Sequence, residues 1–174
     1  MISLIARLIY FMLPAYAANT APVFTKHILK SWKAPLDFGM KFRGKRIFGE
    51  HKTWKGLLFG AAAGVLVAFL QSMVDTNLAI IDYSNWLFAG FLLGFGALFG
   101  DAVKSFFKRR LDIPPGESWI PFDQIDYSLG AIVFVSPWFF PGFLNSIIII
   151  IISFLLHVLF TYSGFRLGLR ERKW

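Results

Sequence analysis

Several apolar runs in this sequence are long enough to cross a lipid bilayer, and they constrain the fold more than any other feature. About 20 residues rising 1.5 Å each span a hydrocarbon core of about 30 Å. The chain has 174 residues, of which 56% are hydrophobic, and a soluble domain of this length could not bury that much apolar surface. We therefore predict an all-α integral membrane protein forming a single domain, residues 1–174.

The apolar pattern predicts a bundle of about five transmembrane helices, at residues 2–24, 54–74, 86–100, 124–140 and 143–165. The third is expected to continue as a helix to about residue 110. The fourth has the weakest signal, because it is short and Pro137 and Pro141 crowd its end. Small residues spaced four apart favour close helix packing, and three glycine pairs have this spacing: Gly60/Gly64, Gly90/Gly94 and Gly96/Gly100.

Basic residues fall almost entirely on one side of these spans. Two substantial loops, about 25–53 and 101–123, and the C-terminal tail carry all 18 Lys and Arg except Arg7, counting Lys55 at the membrane edge. The positive-inside rule makes this side cytoplasmic, with the N-terminus outside and the C-terminus inside a multi-pass cell-membrane protein. The segment "LPAYA" also fits the end of a cleaved signal peptide, but the apolar run before it is short and Pro14 interrupts it.

The segment "GDAVKSFFKRRLDIPPGESWIPFDQID" places nine charges between two apolar stretches. If the third helix continues, four of its polar residues share one face: Asp101, Lys104, Ser105 and Lys108. The Pro-Pro-Gly sequence at 114–116 then turns the chain back. Asp123 and Asp126 therefore return near the depth of Asp101, at the cytoplasmic interface.

These three carboxylates have two interpretations. As a functional group, they are hard oxygen ligands for Mg²⁺, and the nearby cations would bind the phosphates of a polyanionic ligand. As structural residues, Asp123 would be an N-cap, Asp126 an acidic residue at the third helical position, and Asp101 a partner of Lys104. Residue types alone leave both interpretations open.

The first loop, "KAPLDFGMKFRGKRIFGEHKTWKG", interleaves glycines with Lys and Arg. Glycines let backbone N–H groups approach an anion, and the cations add charge; the alternative is a basic loop touching anionic lipid headgroups. Asn19, near the inner end of the first helix, is expected to point into the bundle because unsatisfied polar groups are costly there. The absence of cysteine excludes disulfides, thiolate metal sites and a Cys nucleophile.

Four segments resemble the CDP-archaeol synthase family: "ANTAPVF", "PLDFGMKFRGKRIFGEHKTWKG", "GDAVKSFFKRRLDIPPGESW" and "DQIDYSLGA". These membrane CTP-transferases of archaeal ether-lipid synthesis are related to phosphatidate cytidylyltransferases. The resemblance covers most of the chain, with KTWKG, G-D-x-x-K-S-F-x-K-R and D-Q-x-D in order; His51 departs mildly from it. It implies Mg²⁺-dependent joining of CTP to 2,3-bis-O-geranylgeranylglycerol 1-phosphate in the bilayer, releasing pyrophosphate, with no nucleic-acid partner.

The resemblance also implies roles for residues of both loops. Asp101, Asp123 and Asp126 would hold Mg²⁺, and these three with Lys104 form the expected catalytic set. The phosphates would be bound by Lys104, Ser105, Lys108, Arg109 and Arg110. The nucleotide or lipid phosphate would be covered by Arg43, Lys45, Arg46, Lys52 and Thr53, and the lipid headgroup would contact Asn19 and Lys26.

Two other functions remain open from the sequence. One is a related CTP-transferase acting on a diacyl phosphatidic acid, because the nature of the lipid tails cannot be read from the motifs. The other is a small membrane transporter, which would place ionisable groups near the bilayer midplane. The concentration of charge at one interface argues against the transporter.

Overall fold

The computed structural model of the protein describes residues 2–25, 30–74 and 76–166. Within these ranges the chain forms five α-helices: α1 Ile2–Thr25, α2 Trp54–Ser72, α3 Trp86–Arg110, α4 Phe122–Val135 and α5 Phe143–Arg166. Three stretches of the described chain are long and apolar enough to cross a membrane: Trp54–Ser72, Tyr83–Arg110 and Phe143–Ser163. The number of spans therefore stays a prediction at five.

Helix α3 lies at the centre of the bundle, packed against α1, α2 and α4, while α5 packs on α4 and α1. The core between them is made of fully buried apolar side chains, among them Phe11, Met12, Leu93, Val135 and Ile149. Polar side chains also cross the bundle. Tyr127 of α4 donates a hydrogen bond to the carbonyl oxygen of Ser153 on α5 at 3.0 Å, which fixes α5 against the core.

The helices approach one another most closely at glycines. A Cβ built on Gly64 of α2 would lie 2.9 Å from Gly94 Cα of α3, and one on Gly100 of α3 would overlap the carbonyl oxygen of Asp126 on α4. Backbones this close leave no room for a side chain, as the four-residue glycine spacing predicts. The second contact is important for function because it brings α3 and α4 together at their charged ends.

The first loop, described over residues 30–53, contains a two-stranded antiparallel hairpin, β1 Lys41–Phe42 and β2 Lys45–Arg46, which the sequence analysis did not predict. Its two-residue turn has positive φ at Arg43 (53°) and Gly44 (78°), as a type I′ turn requires. The loop ends where Thr53 caps α2, its hydroxyl accepting a hydrogen bond from Gly56 N at 3.1 Å.

Helix α4 differs from the predicted fourth span. It ends at Val135 rather than continuing to residue 140, and with 14 residues it is shorter than the roughly 20 that a perpendicular span needs. Ser136 keeps helical dihedral angles, with φ of −55° and ψ of −36°, but Pro137 has no backbone N–H to donate the next hydrogen bond of the helix. A turn around Gly142, with φ of 92°, then leads into α5.

Candidate active site

Lys104 lies at the centre of a cluster of acidic side chains where α3 and α4 meet. Its ammonium nitrogen is 3.0 Å from Asp101 Oδ1, 2.9 Å from Asp123 Oδ1 and 2.7 Å from Asp126 Oδ2. All four side chains are largely buried. The structure thus brings together the four residues that the sequence analysis assigned to catalysis.

Two further lysines extend this cluster on opposite sides. Lys52, at the end of the first loop, donates to Asp101 Oδ2. Lys108, one turn beyond Lys104, lies 3.0 Å from Asp123 Oδ2 and donates to the carbonyl oxygen of Glu117. We call these six residues the ion cluster; its three carboxylates and three ammonium groups balance in charge.

Local backbone structure positions the acidic groups of α4. Asp123 Oδ2 accepts a hydrogen bond from Trp119 N at 2.5 Å, which ties the second loop to the start of the helix. The N-cap of α4 is Pro121, so the interpretation of Asp123 as an N-cap, and of Asp126 as an acid at the third helical position, is wrong. Both carboxylates are instead largely buried and paired with lysines of α3.

The donor set of the ion cluster fits a hard divalent cation, because carboxylate oxygens are the ligands that Mg²⁺ prefers. Asp126 Oδ2 is buried and lies 2.7 Å from Lys104 Nζ, so this contact would have to give way for the oxygen to ligate a cation. In the described part of the chain no three acidic or histidine side chains stand ready around a metal position. Here the ammonium group of Lys104 lies between the carboxylates.

Asp37 organises the first loop, and the sequence analysis missed it. Its side chain is 1% exposed and accepts hydrogen bonds from the Arg46 guanidinium and from the backbone N–H groups of Gly39, Phe48 and Gly49. Burial alone would raise the pKa of Asp37, but these donors outweigh it and hold the pKa well below its usual range. Its spacing from Gly39, typical of an Asx turn, was the available sequence signal.

Two of the predicted phosphate-binding cations hold the first loop against the end of α3. The guanidinium of Arg110 donates to the carbonyl oxygens of Arg46 at 2.8 Å and Ile47 at 3.3 Å, and it lies 3.9 Å from the ring centroid of Phe106. Lys45 pairs with Asp112 at 2.6 Å. Arg46 itself is paired with Asp37, so these three cations have protein partners in this arrangement.

The remaining predicted residues surround the ion cluster more loosely. The Ser105 hydroxyl donates to the carbonyl oxygen of Asp101 within α3 at 2.9 Å. Arg109 packs against Gly49, and its Nε is buried with no hydrogen-bond partner among the described residues. Arg43 lies exposed at the hairpin turn, 5.5 Å from the Phe42 ring centroid.

Thr53 caps α2 beside Lys52, as described above. Asn19 is half-buried on α1, and within the described ranges it makes no hydrogen bond to the ion cluster. Lys26 lies outside the described residues. The structure thus assembles the α3 and α4 residues of the predicted site, with the first loop packed over them through Arg46, Lys52 and Arg110.

A helical bundle with apolar spans and a buried ion cluster at one end defines a membrane protein with a polar site between its helices. A solved structure described as an intramembrane enzyme for archaeal membrane lipids biosynthesis has this fold: it superposes with a TM-score of 0.73 at 31% identity, covering 87% of this chain and 90% of that one. The CarS-like CDP-archaeol synthase family matches residues 1–174, and the chain belongs to that family.

Named relatives agree with this assignment. The chain is 38% identical over 184 residues to the CDP-archaeol synthase of Archaeoglobus fulgidus, with 100% of both chains covered. It is 36% identical over 166 residues to that of Thermococcus onnurineus, with 95% of this chain and 94% of that protein covered. The predictions of a helical membrane protein and of a cytidylyltransferase of archaeal lipid synthesis are confirmed, which removes the transporter alternative.

Proposed function

We propose that the protein transfers the CMP group of CTP to 2,3-bis-O-geranylgeranylglycerol 1-phosphate in a Mg²⁺-dependent reaction that releases pyrophosphate. The observation that carries this proposal is the ion cluster: three carboxylates and three lysines gathered where the last turns of α3 meet the first turns of α4. A triphosphate and a lipid phosphate both need cations, and a lipid substrate needs a site at the membrane interface. Membership of the CDP-archaeol synthase family supplies the nucleotide and the lipid class.

The reaction needs no covalent enzyme intermediate. An oxygen of the lipid phosphate attacks the α-phosphorus of CTP in line, a new P–O bond forms, and the bond from that phosphorus to the bridging oxygen of pyrophosphate breaks. The attacking group is ionised near neutral pH, so no general base is required, and the chain has no cysteine to act as a nucleophile. The work of the protein is therefore positioning and charge stabilisation.

Asp101, Asp123 and Asp126 are the residues that would hold Mg²⁺. The bound ion supplies positive charge to the reacting phosphates and to the departing pyrophosphate. Each lysine of the ion cluster is paired with a carboxylate. If those carboxylates held Mg²⁺ instead, the N–H donors of the lysines would become available to phosphate oxygens. Lys104 and Lys108 are thus proposed to bind the triphosphate, with Arg109 as a further cation.

Lys52 and the residues next to it are proposed to receive the lipid phosphate. Lys52, Thr53 and Asp101 line a small pocket of about 60 Å³ together with apolar residues of α2 and α3, so polar and apolar surfaces meet there. We place this end of the bundle at the cytoplasmic face of the cell membrane, with the N-terminus outside, because the basic residues concentrate there.

The purified protein should be assayed with CTP labelled on the α-phosphorus and a panel of lipid phosphates bearing prenyl-ether or diacyl tails. The label should enter a CDP-lipid with the prenyl-ether substrate when Mg²⁺ is present, and CTP labelled on the γ-phosphorus should release its label as pyrophosphate. A preference for the diacyl substrate would support the alternative lipid. Failure to form any CDP-lipid would reject the proposed reaction.

A further inference from the structure

An apolar groove of about 500 Å³ opens along α3 beside the ion cluster. Its walls come from α2, α3 and the first loop, and every residue that lines it is apolar. Five of them are phenylalanines: Phe48, Phe95, Phe99, Phe106 and Phe107. Phe99 and Phe107 are exposed at its edge, whereas Leu98 and Ala102 are buried in its floor. The groove thus has a closed base and an open mouth on the outer surface of the bundle.

The groove adjoins the polar pocket at Lys52 and Asp101. Four residues line both: Leu36, Leu57, Leu98 and Ala102. An amphipathic molecule could therefore place a charged group at Lys52 and continue into the groove without crossing solvent. A small polar pocket that continues into an apolar groove suits a lipid phosphate. A ligand that is polar along its whole length would not match the apolar groove.

The depth of the groove also agrees with a lipid ligand. It follows α3 from Phe95 to Phe107, about 18 Å at 1.5 Å per residue. At its upper end the Arg110 guanidinium covers the Phe106 ring, and three consecutive basic residues, 108–110, end the helix. Cations of this kind mark the level of the aqueous interface. A lipid phosphate held by Lys52 beside Asp101 would lie about 10 Å on the membrane side of Lys108, level with the groove, and its chain would continue within the groove.

We infer that this groove binds one hydrocarbon chain of the lipid substrate and that its walls select among tails. The inference rests on the proposed function. To the proposed phosphate site at Lys52 it adds a site for the hydrocarbon tail of the same lipid. Its volume of about 500 Å³ and its wholly apolar lining fit a hydrocarbon chain laid along α3. Bulk added inside such a groove removes contacts from a long tail and leaves the phosphate pocket intact, so the effect should depend on tail length.

Two variants narrow the groove, and each has a matched control of the same residue type. Phe95→Trp and Val103→Trp add bulk to walls that the phosphate pocket does not share, whereas Phe143→Trp and Val133→Trp make the same changes at exposed positions outside the groove. KM and kcat should be measured for CTP, for a long-chain prenyl-ether lipid phosphate and for a short-chain analogue. In the groove variants the KM of the long-chain substrate should rise at least about tenfold, since single methylene-sized changes in an apolar pocket reach that size. The KM values of CTP and of the short-chain analogue should stay within about twofold.

A binding measurement separates this inference from the proposed reaction. A photo-crosslinking amino acid at Val103 should capture a radiolabelled long-chain lipid phosphate, and excess unlabelled lipid phosphate should suppress that capture, whereas capture at Val133 should not be suppressed. If no CDP-lipid forms with any substrate, the proposed function fails and this competition alone decides the groove. If the groove variants lose activity equally for the long-chain and short-chain substrates, the crosslinking result decides. Capture that excess unlabelled lipid phosphate suppresses supports the tail site, and capture that it does not suppress rejects the site. Groove variants with the kinetics of their controls would overturn it.

Discussion

Lys104 Nζ lies 2.7 Å from Asp126 Oδ2, joining α3 to α4 just where Gly100 allows the two backbones to meet. The ion pair therefore sits at the closest contact between two helices. A buried ammonium group needs compensation, and a buried carboxylate does too. Each group thus stabilises the other, and replacing either one should change both the packing of α3 on α4 and the geometry of the ion cluster.

Lys104→Met tests whether the lysine competes with a divalent cation for the carboxylates. The change removes the ammonium group and keeps most of the side-chain length. Binding of Mn²⁺, used as a spectroscopic probe, should become at least about tenfold tighter, because Asp101, Asp123 and Asp126 lose their shared counter-charge. CTP turnover should fall by about 100-fold or more. Lys41→Met, at an exposed hairpin position, should change neither quantity; unchanged Mn²⁺ affinity in Lys104→Met would contradict the metal assignment.

Asp123→Asn separates a metal-binding role from a structural one. The amide oxygen can still accept the hydrogen bond from Trp119 N, but the charge that faces Lys104 and Lys108 is lost. Turnover should fall by on the order of 100-fold while the helical circular-dichroism signal persists, with partial recovery at high Mg²⁺ or Mn²⁺.

Asp82→Asn is the matched control for that variant. Asp82 caps the 3₁₀ turn ahead of α3, accepting from Ser84 N at 2.8 Å, far along α3 from the ion cluster. Asn is about as good a cap as Asp, so this variant should keep near-normal turnover. If Asp123→Asn behaved like Asp82→Asn at ordinary Mg²⁺, Asp123 would have a structural role only.

Asp37→Asn should loosen the first loop while leaving the bundle intact. Asp37 is buried, and replacing it removes the nearest counter-charge of Arg46 and weakens the acceptor of three backbone N–H groups. Trypsin, which cuts after Lys and Arg, should therefore cleave the loop faster than in the unchanged protein. Glu50→Gln is a matched control, because Glu50 faces the same arginine from an exposed position at 3.8 Å, and it should have little effect.

The same carboxylate predicts how the loop responds to pH. The folded pKa of Asp37 lies below its unfolded value, so its contribution to stability is complete above the ordinary carboxyl pKa of about 4. That contribution is lost as the pH falls below this value toward the folded pKa. Trypsin-independent probes, such as hydrogen exchange in the hairpin, should show loop opening on acidification. The acid sensitivity should be absent in Asp37→Asn, and its persistence there would assign it to another group.

Helical periodicity was sufficient to predict that some of these side chains lie together. Asp101, Lys104 and Lys108 share a face because a helix repeats every 3.6 residues, and the Pro-Pro-Gly turn indicated that Asp123 would return beside them. The roles of Arg46 and Arg110 could not be predicted in the same way. An arginine that binds backbone carbonyls or a buried carboxylate looks the same in the sequence as an arginine that binds phosphate. Only the folded hairpin shows that Arg46 and Arg110 have protein partners.

The position of Lys104 between the carboxylates could not be predicted from the sequence either. Spacing places Lys104 one turn from Asp101, but its contacts with Asp123 and Asp126 depend on how α4 packs against α3. That packing rests on tertiary contacts between glycines. The end of α4 at Val135 depended instead on a local rule: Pro137 has no backbone N–H with which to continue the helix.

Gly100→Ala should disrupt the junction of α3 and α4. A Cβ at this position would overlap the carbonyl oxygen of Asp126, so the helices must separate or the carboxylate must move. We expect a lower thermal midpoint and at least about a tenfold loss of turnover, since a displacement of about 1 Å can cost 100-fold. Gly94→Ala is a milder control, with its nearest contact at 3.3 Å from Gly64 Cα. Equal effects of the two variants would show that the loss does not depend on the position of Asp126.

The orientation of the protein in the membrane can be tested with single cysteines, because the chain has none of its own. Ser84 lies exposed before α3, whereas Ser118 in the second loop and Lys41 in the hairpin lie exposed beyond its other end. The 25 residues of α3 separate the two groups by about 37 Å. In intact cells an impermeant thiol reagent should label Ser84→Cys and leave Lys41→Cys and Ser118→Cys unlabelled, while permeabilised cells should allow all three to react. Labelling of Lys41→Cys from outside would place the ion cluster on the face away from cytoplasmic CTP, and the proposed orientation would then be wrong.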